Sequence, residues 1–154
     1  RRSSDLYQQR YEVGEKLVRT VLKNRHDDRA LQQRAVDVFR RAGREDVGQR
    51  LVEQTAQDIV SLNNEAVRLA QSGDLAAAAE RFIRAVADMP ANAQVLVNAV
   101  NALLAFVNRN GWHDTYMHLA EEYLERVREL EPENGRALQL AEIRRRTCQC
   151  FRKS

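Results

Sequence analysis

Ala85-Val86-Ala87-Asp88-Met89-Pro90-Ala91-Asn92 and Val127-Arg128-Glu129-Leu130-Glu131-Pro132-Glu133-Asn134 are the stretches that decide how this chain folds. They hold the only two prolines among 154 residues, and each proline sits two places before an asparagine. Proline has no N–H and cannot continue a helix, while asparagine caps the next helix through its side-chain oxygen. One punctuation mark, used twice, therefore cuts a helical chain into hairpins.

Around these boundaries, nothing reads as a strand. Glycine and proline are scarce, and apolar residues recur at three- and four-residue spacing. A first helix is expected from Asp5 to Lys23, with Leu6, Val13, Leu17, Val21 and Leu22 as its apolar positions. A second runs from Asp28 to Ala42, closed by Gly43, and a third from Asp46 to Gln57. Asp58 is expected to cap a fourth that reaches Ser72, and Gly73 breaks it. Asp74 caps a fifth ending at Met89, and Asn92 a sixth ending at Asn110, with Gly111 as its stop. Asp114 is expected to cap the seventh and Asn134 the eighth. Each such cap stabilises its helix by about 1 kcal/mol. The connections are short, so neighbours should be antiparallel hairpins.

Composition sets the class. A hydrophobic share of 44% and a charged share of 31% describe ordinary globular material that forms one domain. The longest apolar run, Ala102 to Val107, is too short to cross a bilayer. Two cysteines are too few for a disulfide framework, which points to a reducing, cytoplasmic setting. No signal-peptide pattern is present and the first residue is Arg1, so the chain reads as a segment of a longer protein. The net charge of +3 is carried almost wholly by arginine and leans only weakly toward anionic partners.

Asp58 to Asn92 spans 34 residues, the length of one helix–turn–helix repeat, and Asn92 to Asn134 spans 42. In the first copy Leu62, Ala66 and Leu69 precede the Gly73 turn, and Ala78, Phe82 and Ala85 follow it before Pro90. The second copy carries Leu96, Ala99, Val100 and Leu103, then Ala120, Leu124, Val127 and Pro132, and is lengthened around Gly111-Trp112. In this pattern the chain resembles the tetratricopeptide repeat (TPR) family. The resemblance implies an all-α, right-handed stack of antiparallel helical hairpins, a TPR-like α-solenoid of about eight helices. Residues 1–57 would hold N-terminal helices, with a degenerate copy from Asp28 to Gln57 in which Gly48 is the small contact residue. Residues 58–134 would hold two repeats, and 135–154 a capping helix and basic tail. More loosely, Asp58-Ile59-Val60-Ser61-Leu62-Asn63-Asn64-Glu65-Ala66-Val67-Arg68-Leu69-Ala70, with Gly111-Trp112 and Arg126-Val127-Arg128, resembles the repeat region behind receiver domains of bacterial response regulators. That would make the chain the docking or output part of a two-component signalling protein, with a receiver upstream.

The first helix of each repeat lines the inner face of such a stack. Five, six and nine residues past the expected caps stand Asn63, Asn64 and Val67, then Val97, Asn98 and Asn101; the last helix offers Arg136 and Gln139. Asparagine is a mediocre helix former, so four of them on two helices call for a reason. Amides both donate to and accept from a peptide backbone, which suits Asn63, Asn64, Asn98, Asn101, Arg136 and Gln139 to gripping a peptide or helix of a partner protein. The plainer reading is that the amides satisfy one another and water. The family's carboxylate clamp needs several cations at these offsets, and only Arg136 stands there.

Trp112 has two readings: an exposed interface anchor, or a ring packed beneath the lengthened hairpin against Phe106. Tryptophan's preference for burial favours the second. His113 and His118 are off a common helical face and read as surface residues, with no metal set around them. Cys148-Gln149-Cys150 lacks redox or zinc spacing. The Arg144-Arg145-Arg146 run fits a solvated helix end better than a nucleic-acid site. No phosphate loop, catalytic triad, cofactor motif or metal constellation is legible, so the sequence points to a binding module rather than an enzyme. The rival reading is self-association, as a homodimer, through the N-terminal helix or the extended hairpin.

Overall fold

The computed structural model describes residues 2–153, and these form seven α-helices with no strand among them. They are α1 Arg2–Asn24, α2 Arg29–Arg41, α3 Glu45–Gln71, α4 Leu75–Asp88, α5 Ala93–Asn110, α6 Asp114–Leu130 and α7 Gly135–Arg152. The caps explain most of the boundaries. Asp28, Asp74, Asn92 and Asn134 each accept a bond from the backbone N–H three residues on, at 2.9–3.0 Å. Gly43, Gly73 and Gly111 take positive φ angles of 71°, 86° and 99°, which end helices at little cost only in glycine.

Two expected boundaries are corrected. The third and fourth helices are one, because Asp58 lies inside the 27-residue α3 and caps nothing. A cap needs a break before it, and Gln54-Thr55-Ala56-Gln57 contains no breaker. The cap of α6 is His113 rather than Asp114: its Nδ1 accepts from the Tyr116 N–H at 3.2 Å. The Asp114 carboxylate instead accepts the indole N–H of Trp112, and its charge still favours the first turn of α6.

The chain separates into two compact units, Arg1–Val60 and Ser61–Ser154, a division that falls within α3. In the first, Leu22, Ala35, Phe39 and Leu51 form the core, with Tyr11, Val18, Leu31, Val47 and Val52 around it. Gly48 is where α3 meets α2: a Cβ there would lie 3.0 Å from the Val36 Cα and the Phe39 Cβ. Of the five apolar positions expected on α1, only Leu22 is buried; Leu6, Val13, Leu17 and Val21 are exposed.

In the second unit α5 is the hub, packing against α4, α6 and α7. Val95, Leu96, Ala99, Val100, Leu103 and Val107 of α5 are fully buried, which is why this helix is apolar on nearly every side. Side-chain bonds tie the neighbours together: Arg81 to Glu65 (2.7 Å) between α4 and α3, Tyr116 to Glu80 (2.8 Å) between α6 and α4, and Arg144 to Glu121 (2.8 Å) between α7 and α6. No helix among the described residues is long and apolar enough to cross a membrane.

Candidate functional site

A cleft of about 200 Å³ opens in the second unit, bounded by α3, α4 and α5. Its origin is legible residue by residue. Ala66 and Ala70 of α3, Ala78 of α4, and Ala102 and Ala105 of α5 all line it, and short side chains leave space that leucines would fill. Val67, Leu75 and Phe82 supply the rest of the apolar wall. Asn63, Asn98 and Asn101 supply the polar part, and no lining residue is titratable.

The amides are ordered by one another. Asn98 donates from Nδ2 to the Asn63 Oδ1 at 3.0 Å, bridging α5 to α3. Arg136 of α7 donates to the Asn101 Oδ1 at 2.9 Å and to the Gln139 side-chain oxygen at 3.3 Å. Both inter-helix bonds join residues 35 apart in the sequence. A primary amide offers two donors and two lone pairs, of which the Asn98–Asn63 bond takes one donor of Asn98 and one lone pair of Asn63. The Asn98–Asn63 and Arg136–Asn101 bonds are of the kind that the plainer expectation, amides satisfying one another and water, describes.

Of the six residues expected to grip a partner, the structure brings Asn63, Asn98 and Asn101 to one cleft. Arg136 and Gln139 line no part of it; Arg136 bonds to Asn101, and Gln139 to Arg136. Asn64 is exposed on α3 and lines no part of the cleft. Helical geometry explains this: 63 and 64 are 100° apart around the axis, and the face carrying Asn63, Ala66, Val67 and Ala70 turns inward. The alanines were missed as cleft-lining residues; their spacing of three and four on α3 and α5 was the available signal.

Trp112 stands elsewhere, 43% exposed, with its ring 5.5 Å from Phe151 at the end of α7. The packing expected with Phe106 is corrected, since Phe106 sits edge-on to His113 and Tyr116 instead. His113 is likewise no plain surface residue: it caps α6 and stacks on Tyr116 at 3.9 Å. The Tyr116 hydroxyl is pushed up to about 12 by burial, by its bond to Glu80 and by that carboxylate's charge.

The arginine run is met by carboxylates. Arg145 and Arg146 both bond to Glu142, at 2.6 Å and 2.9 Å, and their hydrogen bonds pull its carboxyl down to about 2. Arg144 is held by Glu121. The Glu65 carboxyl beside the cleft is also lowered, chiefly by its bond from Arg81. Cys148 and Cys150 are thiols, half-buried and exposed respectively. Among the described residues no cluster of His, Cys, Asp or Glu has the makings of a metal site.

Compared with known proteins, the chain matches no family model, and neither a curated protein nor a solved structure is measurably similar to it.

Proposed function

We propose that this chain is a non-enzymatic interaction module that holds a peptide or helix of a partner protein in the Asn63–Asn98–Asn101 cleft. The observation that carries the reading is the cleft itself: an uncharged apolar trough edged by the amides of Asn63, Asn98 and Asn101. Apolar wall and amide rim are the two ingredients of peptide recognition, anchoring a side chain while reading the backbone beside it. A trough with no titratable lining suits holding better than turnover.

The wider architecture we propose is a right-handed, tetratricopeptide-like stack of hairpins, with the cleft on its concave side. Two observations support it: the Pro–x–Asn boundary used twice, and the repeated 35-residue separation of bonded pairs on alternate helices. In this reading the module works in the cytoplasm as the docking part of a larger bacterial signalling protein, the role that the stretch Asp58 to Ala70 suggested.

The test uses peptides selected from a display library against the chain, with affinities then measured by calorimetry. Ala70 is exposed and lines the cleft, so Ala70→Trp fills the trough without disturbing a core. It should abolish binding, and Asn98→Ala should weaken it roughly tenfold, as loss of one or two hydrogen bonds does. Asn64→Ala, outside the cleft, should leave it unchanged. Peptides that bind Ala70→Trp as tightly as the parent would refute the reading.

A further inference from the structure

Among the described residues, five helices begin on a side chain that accepts a backbone N–H. Four of the acceptors are oxygens: Asp28, Asp74, Asn92 and Asn134 take the N–H groups of Leu31, Ala77, Val95 and Ala137. The fifth is a nitrogen, His113 Nδ1, which takes the Tyr116 N–H at 3.2 Å. Protons treat these acceptors differently. An amide oxygen does not titrate, and an aspartate takes a proton only well below neutrality. Imidazole changes its charge between about pH 5 and 8. Its Nδ1 accepts only while the ring is neutral with its hydrogen on Nε2; in the imidazolium both nitrogens are donors.

The surroundings hold the ring in this role. It stacks on Tyr116, with ring centres 3.9 Å apart, and meets Phe106 of α5 edge-on at 5.7 Å. The titratable groups about it come from three helices. On α6, the Asp114 carboxylate takes the Trp112 indole N–H, and the His118 ring bonds to the Asp114 carbonyl. From α4, Glu80 accepts the Tyr116 hydroxyl. From α5 the ring meets the uncharged Phe106, and the cation of that helix's last turn is Arg109. A proton on Nδ1 sets a donor against the Tyr116 N–H, at the end of the helix where the dipole disfavours positive charge.

We propose that His113 makes the start of α6 a pH-sensitive latch: the cap bond is made while the imidazole is neutral and lost when it is protonated. The latch secures the packing of α6. Its first turns carry Tyr116, whose hydroxyl reaches Glu80 of α4, and Met117, whose carbonyl accepts from Arg144 of α7. As pH falls through the imidazole range, both links lose the turn that positions them. No residue of the latch lines the cleft, so it stands apart from the proposed peptide binding.

Amide hydrogen exchange of the whole chain, followed by NMR at about pH 8 and about pH 5, tests it. Rates are expressed as protection factors, which remove the intrinsic pH dependence of exchange. The Tyr116 N–H should lose protection about five- to tenfold on acidification, as the loss of one cap implies. The N–H groups of Leu31, Ala77, Val95 and Ala137, capped by oxygens, should keep theirs. His113→Asn supplies an acceptor that does not titrate, so there Tyr116 should be equally protected at both values. Unchanged Tyr116 protection in the parent overturns the inference. So does a loss shared by the four oxygen-capped amides, and so does a loss that persists in His113→Asn.

Discussion

Gly48 and Gly14 are both mid-helix glycines, and their surroundings assign them opposite effects. A methyl group on Gly48 would press on the Val36 backbone and the Phe39 Cβ at 3.0 Å, and backbone yields little. Around Gly14 nothing lies within 4 Å. Alanine has better helix propensity by about 0.8–1.0 kcal/mol, so Gly14→Ala should stabilise the chain by up to that amount. Gly48→Ala should destabilise it by about 1–3 kcal/mol despite the same propensity gain. Urea unfolding of the two variants checks the difference in sign. Tyr116 gives a prediction in pH. Its neutral form is favoured in the fold, where ionisation is delayed to about 12 against an ordinary value of 10.0. The contribution is complete below the ordinary value and is lost as pH rises through the folded one, because the unfolded chain releases its proton first. Tyr116→Phe should therefore show a shallower loss of stability across that alkaline window; Tyr123, shifted upward by burial, retains its share of the slope. An unchanged slope would mean that Tyr116 is not buried beside Glu80 in solution. Asn63 and Asn98 were legible in the sequence as unusual helix residues, but their partnership was not. Counting 34 from cap to cap aligns Asn64 with Asn98, whereas the bond pairs residues 35 apart. A shift of one residue turns a side chain by 100°, and only packing decides it.

Among the helices, caps were the readable part and continuity was not. Asp28, Asp74, Asn92 and Asn134 act as the sequence indicates, since each follows a glycine, a proline or a loop that has already broken the preceding helix. Asp58 has the same chemistry without the break, and so remains an exposed residue within α3. The two cases separate experimentally. Asn92 is 1% exposed and its Oδ1 accepts the Val95 N–H, so Asn92→Ala should cost about 1–2 kcal/mol. Asp58→Ala should cost nothing and can even gain a few tenths of a kcal/mol from propensity. A cost at Asp58 equal to that at Asn92 would indicate two helices there. His113 was beyond sequence reasoning for a related reason. Two side chains able to accept, His113 and Asp114, stand together, and the Trp112 indole N–H recruits the aspartate. The imidazole is left to cap, a choice set by side-chain geometry rather than by residue type.

For the molecule as a whole, the all-helical class and the hairpin boundaries followed from two prolines, three positive-φ glycines and the capping residues. The cleft did not. It arises where alanines of three helices leave a void, and a run such as Leu75-Ala76-Ala77-Ala78-Ala79 reads from sequence only as close packing. In the structure some of these alanines are buried against neighbours and others border open space. In the function proposed above, a partner sits in this void, edged by Asn63, Asn98 and Asn101. The most direct measurement is a nitrogen–proton NMR titration of the chain with a display-selected peptide, following the asparagine side-chain NH₂ signals. The signals of Asn63, Asn98 and Asn101 should move together with increasing peptide while that of Asn64 stays in place. Movement confined to α1, or to Trp112 and the end of α7, with the three cleft amides unmoved, would contradict it.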